Sequence, residues 1–299
     1  MSVLANAKIN LSLEVLGRRP DGFHEVVTVL HTIGMADRLT FEPSDSLVLR
    51  CDAIGLSNEQ NLAWQAALLL QRETRASSNG VSITLEKRVP EAAGLGGGST
   101  DAAATLIALN KMWGLKLTAA RLRELAAKLG SDVPFFIKGG CAIATGRGEV
   151  VKSLAPAPGW WAVVLRPNVH LLDKTALLYG MLAERDFTDG SATRALASRL
   201  RRGIATIADV AGATNAFERV APKAFPGLAK GRRALLTAGA PFARLTGTGP
   251  ALFTLVERRE ECESILAQLK AGGHEAHLAA LVGQEEASLT RSFLSTSSG

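Results

Sequence analysis

The chain places a run of glycines directly before a helix-forming stretch, in "PEAAGLGGGSTDAAA", residues 90–104. Glycine loses more conformational freedom than any other residue when it is ordered, at a cost of roughly 0.5–1 kcal/mol relative to alanine in a helix or strand. Four glycines stand within five positions, at 94, 96, 97 and 98. Such a concentration beside regular structure calls for a physical reason.

The elements predicted on either side of the glycines supply that reason. "GVSITLEKRVP" predicts a strand that ends at Pro90, and "DAAATLIALNKMW" predicts a helix. The first N–H groups of a helix have no internal partner and carry partial positive charge, and glycines let a phosphate approach the backbone. The spacing matches neither the Walker A motif nor the G-x-G-x-x-G fingerprint of dinucleotide-binding folds. We therefore predict a phosphate-binding loop, with a plain flexible loop as the alternative.

Other parts of the chain alternate between predicted strands and helices. "KINLSLEV" alternates in polarity, so that Lys8, Asn10, Ser12 and Glu14 share one face of a strand. "VVTVLHTI", "LTFEP" and "LVLRCD" predict three further strands. Helices are predicted after an Asn61 N-cap and over about Thr118–Leu129.

The stretch "PAPG", residues 156–159, is the best candidate for a linker. A chain of 299 residues is long enough for two domains of ordinary size, and we predict them at 1–155 and 160–299. Beyond the linker we predict a strand in "WWAVVLRP", a strand-like "FARLTGTGPALFTLV" and a helix near residues 260–270. The tail "STSSG" is expected to fray.

Composition narrows the classes of protein. Hydrophobic residues make up 47% of the chain, which is enough for a full core and excludes a disordered type. No apolar run approaches the roughly 18 residues of a membrane helix, and the N-terminus lacks the pattern of a signal peptide. The three cysteines match no disulfide or zinc spacing, so we predict a cytoplasmic protein. The net charge of +6 favours a solvated basic surface over a nucleic-acid site, because aromatic residues do not interleave with the basic clusters.

Single residues leave alternatives open. Asp132 stands in the apolar stretch "GSDVPFFI", where a carboxylate is either a cap or ion-pair partner, or a functional acid or base; of these roles the cap is slightly favoured. Lys8, on the polar face of its strand, has solvent exposure as its usual role. The glycines of "LTGTGPALF" fit a hairpin or bulge as well as a binding turn.

Taken together, these pieces resemble the GHMP kinases, a family named for galactokinase and for homoserine, mevalonate and phosphomevalonate kinases. The matching stretches lie between residues 7 and 253: "AKINLSLEVLGRRPDGFHE", "NLAWQAALLL", "EKRVPEAAGLGGGSTDAAATLIALN", "GSDVPFF" and "RLTGTGPALF". The glycine loop alone is similar to the whole superfamily, whereas "DGFHE", "LGGGSTDAA" and "SDVPFF" resemble the branch whose acceptor is a CDP-linked polyol. Asn6 stands where the family often has proline, and Thr100-Asp101 replaces a usual Ser-Ala.

The resemblance implies an α/β fold of the α+β type, with two domains and an active site in the cleft between them. It implies an ATP-dependent phosphotransferase that acts on an alcohol. Asp132 would match the family's catalytic aspartate and take the hydroxyl proton, while Lys8 would keep that carboxylate ionised and neutralise developing charge. Mg²⁺ is expected on the phosphates, but the sequence offers no obvious acidic ligand for it.

Binding residues also follow from the resemblance. The ATP phosphates would lie over the glycine loop, and the ATP-binding residues would be Asn61, Lys87, Pro90, Glu91, Ala92, Ala93, Gly94, Leu95, Gly96, Gly97, Gly98, Ser99 and Thr100. The acceptor would be bound by Asn10, Phe23, His24, Thr175 and Tyr179, beside a glycine-rich turn of Gly247, Thr248 and Gly249. Phe23 and Tyr179 would stack on the cytosine. The alternative without a binding role is a loop aromatic folded onto the core for Phe23 and a half-buried helix residue for Tyr179.

Two other functions stay open. The chain could be another GHMP kinase, acting on homoserine or a mevalonate-type alcohol, or a non-catalytic nucleotide-binding or RNA-binding protein on the same fold. The presence of both Lys8 and Asp132 argues against loss of catalysis. The expected partners are two small molecules, ATP and a CDP-linked polyol, without nucleic acid or membrane. The sequence does not give the oligomeric state.

Overall fold

The computed structural model describes residues 1–74, 79–169 and 174–287. The tail expected to fray, residues 295–299, lies outside the described residues. The strands are β1 (Ser2–Arg18), β2 (His24–Ser44), β3 (Leu47–Cys51), β4 (Gly80–Glu86), β5 (Cys141–Gly146), β6 (Val150–Leu154), β7 (Trp161–Arg166), β8 (Arg244–Leu245), β9 (Leu252–Val256) and β10 (Glu275–Ala280).

The described helices are α1 (Leu62–Thr74), α2 (Gly97–Met112), α3 (Ala119–Leu129), α4 (Val133–Phe136), α5 (Lys174–Gly180), α6 (Ser191–Arg201), α7 (Ile207–Ala211), α8 (Ala221–Ala224), α9 (Leu228–Thr237), α10 (Arg259–Ala271) and α11 (Gln284–Ala287). This mixture of helices and mostly antiparallel strands is the α+β arrangement that was predicted. None of the helices in the described ranges has the length and apolar character needed to cross a membrane.

The first sheet is organised by the long strand β2. One edge of β2 pairs antiparallel with β1, from Ser2 opposite Thr40 to Arg18 opposite His24. The other edge pairs with β5 in its first half and with β4 in its second half, and β3 and β6 lie outside them. The two strands predicted in "VVTVLHTI" and "LTFEP" are one continuous strand, and its pairing with β1 resumes beyond Gly34 and Met35 after a register shift between Asn6 and Lys8.

Helix α2 lies at the centre of the first core. Every residue from Thr100 to Leu109 is buried, in a cluster that includes side chains of α1, α3 and the first sheet. The alanines of this stretch are small enough for neighbouring elements to approach from several sides. The helix begins at Gly97, four residues before the predicted start, so two of the four glycines lie in its first turn.

The second sheet has the strand order β10-β7-β9-β8. Its core contains Phe217, Phe225 and Leu235 with side chains of α10. The predicted strand over 242–256 is interrupted, because the glycine turn between Leu245 and Leu252 separates β8 from β9. Helix α10 and the caps of α1 and α3 agree with prediction: Asn61 Oδ1 accepts from Ala63 N at 2.9 Å, and Thr118 Oγ1 accepts from Arg121 N at 3.2 Å.

Strand β1 is buried on both faces and links the two halves. Its apolar residues Ile9 and Leu11 share a core cluster with Trp160 and Phe253 from the second half. Its polar residues are at most 4% exposed: Lys8, Asn10, Ser12 and Glu14. The expectation that Lys8 is exposed to solvent, as lysines on the polar face of a strand usually are, is therefore wrong.

The polar residues of β1 find partners far along the chain. Glu14 accepts a hydrogen bond from the backbone N–H of Thr193 at 2.6 Å, near the N-terminus of α6, where a carboxylate is favoured by the helix dipole. The Ser12 hydroxyl lies 2.5 Å from that of Thr193. The buried polar face of β1 therefore fixes α6 against the first sheet.

The candidate linker is held to the first sheet by a buried histidine. Ala157 N donates to His31 Nε2 at 3.1 Å, and His31 Nδ1 lies 2.8 Å from the Thr32 carbonyl. Burial lowers the pKa of His31 to about 4, so that the ring is neutral and one nitrogen accepts while the other donates. The domain boundary predicted at this linker stays a prediction.

Candidate active site

The glycine loop joins the stretch after β4 to the N-terminus of α2. Gly94 and Gly96 have φ values of +85° and +74°, which side chains other than glycine rarely adopt. No side chain caps α2, whose N-cap is Gly96, so its first N–H groups stay available. The loop lines a cavity of about 360 Å³, and the lining includes all the predicted ATP-binding residues except Thr100.

Both halves of the chain hold this loop by its backbone. Lys8 N donates to the Leu95 carbonyl at 2.9 Å, and Ala251 N donates to the Ala93 carbonyl at 3.1 Å. A Cβ added at Gly94 would lie 2.3 Å from the carbonyl oxygen of Thr246, a distance that no real Cβ reaches. The loop therefore packs backbone to backbone against the C-terminal glycine turn. The alternative prediction of a plain flexible loop does not fit this packing.

Lys87 lies in a buried ion cluster under the loop. Its Nζ is 2.5 Å from Asp37 Oδ2 and 2.8 Å from Asp101 Oδ2. Asp37 Oδ1 also accepts from the backbone N–H groups of Arg88 and Val89, which fixes the start of the loop. Sequence reasoning missed Asp37, because an isolated aspartate in a strand gives no sign of a partner fifty residues away.

The third member of the cluster, Asp101, has one carboxylate oxygen that is not hydrogen-bonded. Its Oδ1 is buried without a hydrogen-bond partner among the described residues. Burial raises the pKa of Asp101 to about 8, and the attraction of Lys87 opposes that rise while Asp37 adds to it. The Lys87 ammonium stands beside Gly97, 3.3 Å from where a Cβ would lie, so its charge reaches the first turn of α2.

The two candidate catalytic residues form an ion pair. Lys8 Nζ lies 3.3 Å from Asp132 Oδ2, with Lys8 3% and Asp132 37% exposed. Lys8 Nζ also donates to Asn10 Oδ1 at 2.6 Å, and Asn10 Nδ2 donates to Thr28 Oγ1 at 2.9 Å. The lysine is therefore held in place by the hydrogen bonds through Asn10, while the partly exposed carboxylate remains accessible to a ligand.

Asp132 precedes α4 but makes no capping hydrogen bond to it. The cap, which the sequence slightly favoured for this residue, is wrong, and the ion pair named beside it is confirmed. A carboxylate and a lysine in contact, one reachable and one buried, can accept a proton from an alcohol while the cation neutralises charge on a neighbouring phosphate.

A cleft of about 1200 Å³ connects this pair to an aromatic end. The predicted acceptor residues Asn10, Phe23, His24, Thr175 and Tyr179 all line it, as do Gly247 and Thr248. Gly94, Gly96 and Ser99 line both this cleft and the cavity of the glycine loop, so the two spaces adjoin.

The aromatic end has one packed ring and one open ring. Tyr179 lies 4.9 Å from the His24 ring and 4.8 Å from Phe217, between centroids. Phe23 is 50% exposed, and the Arg147 guanidinium lies 4.6 Å from its centroid. His24 Nε2 is buried without a partner among the described residues, and burial lowers the pKa of this histidine. A neutral imidazole nitrogen is therefore free to bond a ligand.

Three cations that line the cleft, Arg18, Arg147 and Lys174, were not among the predicted site residues. Arg147 lies in the turn between β5 and β6, and Lys174 is the first residue of α5. Lys174 directly precedes Thr175, and that adjacency was the one available signal. Among the described residues there is no group of three or more histidines, cysteines and carboxylates that could hold a metal ion.

Comparison with known proteins agrees with this geometry. The family model for the GHMP kinase N-terminal domain matches residues 61–140, and the model for the GHMP kinase C-terminal domain matches residues 193–275. A curated relative from Dehalococcoides mccartyi, named 4-diphosphocytidyl-2-C-methyl-D-erythritol kinase, is 41% identical over 95% of this chain and 99% of its own.

The chain belongs to the GHMP kinase family. A solved structure of a 4-(cytidine 5'-diphospho)-2C-methyl-D-erythritol kinase superposes on this GHMP kinase with a TM-score of 0.79, at 37% identity over 95% of this chain and 100% of that one. A homoserine kinase from Cytophaga hutchinsonii superposes with a TM-score of 0.71 at 20% identity, over 95% of each chain, which shows a shared fold. The predicted family and two-domain architecture are thereby confirmed.

The packing at Gly96 gives a test of the loop in this GHMP kinase. A Cβ at Gly96 would lie 2.8 Å from Phe136 Cζ and 3.2 Å from Lys8 Cγ, whereas one at Gly273 would meet nothing within 4 Å. Both glycines have φ +74°, so alanine costs each of them a similar left-handed strain, roughly 1–2 kcal/mol. Gly96→Ala should lower the melting temperature more than Gly273→Ala does, and it alone should weaken ATP binding, by about tenfold or more.

Calorimetry with ATP and thermal denaturation of both variants provide the measurement. Equal melting temperatures together with equal ATP affinities would show that the close approach of the loop to Phe136 and Lys8 has no consequence.

Proposed function

We propose that this protein transfers the γ-phosphoryl group of ATP to the 2-hydroxyl of 4-(cytidine 5'-diphospho)-2-C-methyl-D-erythritol, a step of the non-mevalonate isoprenoid pathway. The observation that carries the proposal is one cleft that joins an aromatic end to the Lys8–Asp132 pair and to the glycine loop. The near-full-length identity to relatives of that name supports the same substrate.

In this proposal Asp132 and Lys8 carry the chemistry. Asp132 accepts a hydrogen bond from the 2-hydroxyl and takes its proton as that oxygen forms a bond to the γ-phosphorus. The bond between the γ-phosphorus and the β–γ bridging oxygen breaks, and ADP leaves. The Lys8 ammonium stabilises the negative charge on the transferred group, which passes through a loose transition state that depends mainly on positioning and electrostatics.

The glycine loop binds the ATP phosphates. The first residues of α2, whose N–H groups no side chain caps, line the loop cavity, and the glycines remove the side chains that would keep a phosphate away. Lys87 contributes through its place in the ion cluster with Asp37 and Asp101, which fixes the loop's entry and adds positive charge beside Gly97.

Magnesium, when bound with ATP, supplies charge neutralisation on the phosphates. Ser99 lines both the loop cavity and the cleft, and its hydroxyl would be the neutral side-chain ligand for such an ion. Asp101 has an unpartnered oxygen nearby but shares its carboxylate with Lys87. Phosphate and water oxygens would therefore provide most of the ligands, as Mg²⁺ often accepts.

The acceptor's base lies at the aromatic end. The Phe23 ring offers an exposed face for stacking, and His24 Nε2 offers a buried hydrogen-bonding atom. Tyr179 closes the end from its position against His24 and Phe217, and Thr175 stands one turn before it on α5. Homoserine and mevalonate carry no base, so a kinase for either would have no use for this end of the cleft.

Two wider features belong to the proposal. Retention of the Lys8–Asp132 contact argues for a catalyst rather than a non-catalytic binding protein on this fold. A cytoplasmic location, with ATP and a CDP-linked polyol as the partners, stays a prediction, as do the domain limits at 1–155 and 160–299.

A substrate panel tests the function directly. ADP release should be measured with the wild-type protein, ATP and magnesium against 4-(cytidine 5'-diphospho)-2-C-methyl-D-erythritol, homoserine, mevalonate and phosphomevalonate. We expect turnover with the CDP-linked polyol at a kcat/KM at least about 100-fold above the others, because only this acceptor uses both ends of the cleft. Faster turnover of homoserine or a mevalonate would contradict the proposal.

The open ring gives a residue-level test of the base site. Phe23→Ala should raise KM for the CDP-linked acceptor by roughly tenfold to 150-fold, the usual worth of a stacked base, and leave KM for ATP unchanged. The melting temperature should change little because Phe23 is 50% exposed. Leu236→Ala, on α9 and 48% exposed, is a matched control outside the cleft. Equal rises in both KM values for Phe23→Ala would exclude a role in stacking.

A further inference from the structure

Lys174 is a buried cation at the edge of the cleft. It begins α5, is 9% exposed and lines the same space as Lys8, Asp132 and Tyr179. Neither its neighbours in sequence nor the chemistry described above gives it a task. A lysine is almost never buried to this degree without a partner that offsets the loss of hydration.

Its hydrogen bonds are made to neutral groups of the C-terminal glycine turn. Lys174 Nζ donates to the Gly249 carbonyl, and it lies 3.3 Å from Thr248 Oγ1. Within the described part of the chain it forms no ion pair. Burial, together with the nearby Lys8, lowers the pKa of Lys174 to about 8, and Asp132 acts in the opposite direction. The turn therefore aims this ammonium without neutralising it.

The residues that line the cleft carry an excess of positive charge. Among its described lining residues, Lys8, Arg18, Arg147 and Lys174 face a single carboxylate, that of Asp132. A concave surface with four cations and one anion attracts an anionic ligand. The ATP phosphates account for charge at the glycine loop, but Lys174, on α5, lines the cleft and is not part of the lining of the loop cavity.

The position of Lys174 identifies which anion it meets. Tyr179, at the aromatic end, lies five residues further along the same helix, or about 7.5 Å by helical rise. On its other side, the turn that holds Lys174 reaches the catalytic pair, since a Cβ at Gly247 would lie 3.3 Å from Lys8 Nζ. Lys174 therefore stands between the base end of the cleft and the site of phosphoryl transfer.

An acceptor that joins a cytosine to an alcohol through a diphosphate places its diphosphate in that interval. We infer that Lys174 binds the diphosphate of the acceptor and so selects nucleoside-diphosphate-linked alcohols over free alcohols. The inference rests on the proposed function, because it assumes that the base occupies the aromatic end. The glycine turn acts as the positioning element, since the Gly249 carbonyl and the Thr248 hydroxyl hold the ammonium in place.

Binding of substrate fragments separates this role from a structural one. Calorimetry should compare CDP, which contains the base and the diphosphate, with cytidine, which lacks phosphate, while a non-hydrolysable ATP analogue fills the glycine loop. Lys174→Met keeps the length and removes the charge. We expect it to weaken CDP binding by roughly 10-fold to 100-fold, the usual worth of a charge-assisted hydrogen bond, and to leave cytidine binding unchanged.

Two further variants control the measurement. Lys174→Arg should retain most of the CDP affinity because it keeps the charge. Lys223→Met removes an exposed lysine of α8, outside the cleft, and should change neither affinity. Melting temperatures of all three variants show whether the fold is retained.

The outcomes distinguish this inference from the proposed function. Wild-type affinity for CDP in Lys174→Met, or equal losses for CDP and cytidine, would overturn the role of Lys174 while leaving the kinase assignment intact. A fall in kcat with an unchanged acceptor KM would move Lys174 to the transferred phosphoryl group and also overturn it. A wild-type protein that binds the ATP analogue but not CDP would overturn both proposals.

Discussion

A buried lysine on the first strand sets the main constraint on this structure. Lys8 is 3% exposed, and an ammonium removed from water costs several kcal/mol unless hydrogen bonds and an opposite charge offset the loss. Asn10 provides the hydrogen bond and Asp132 provides the charge, so β1 and the start of α4 must meet at one point. The glycine loop must lie over the same lysine, because Lys8 N donates to the Leu95 carbonyl.

The two halves of the chain converge on that point through small residues and backbone groups. Asn10 N donates to Thr246 Oγ1 at 3.0 Å, and Gly94 and Gly247 permit the two glycine turns to touch. The spaces for the two proposed substrates adjoin there, since Gly96 and Ser99 line both. A site built in this way brings the two spaces together beside the Lys8–Asp132 pair.

The sequence predicts the local parts of this site well and their burial poorly. The loop, the caps of α1 and α3 and the helix of α10 follow from short-range chemistry, namely glycine freedom and capping hydrogen bonds. The burial of Asn10 and Glu14 could not be read from alternation, because their partners Thr246 and Thr193 lie 236 and 179 residues away along the chain. Asp37 and Lys174 were missed for the same reason: tertiary contacts, not neighbours in sequence, place them beside Lys87 and the Gly249 carbonyl.

A double-mutant cycle in kcat, at saturating ATP and acceptor, tests most directly whether Lys8 and Asp132 act as one unit. Asp132→Asn and Lys8→Met should each lower kcat by roughly 10²–10⁴-fold, the usual range for losing general acid–base catalysis, with unchanged ATP affinity. The account predicts that the double variant is no more than about tenfold slower than the slower single variant, because either change already removes the function of the pair. Single losses that multiply in the double variant, or an Asp132→Asn variant with near-native kcat, would contradict it.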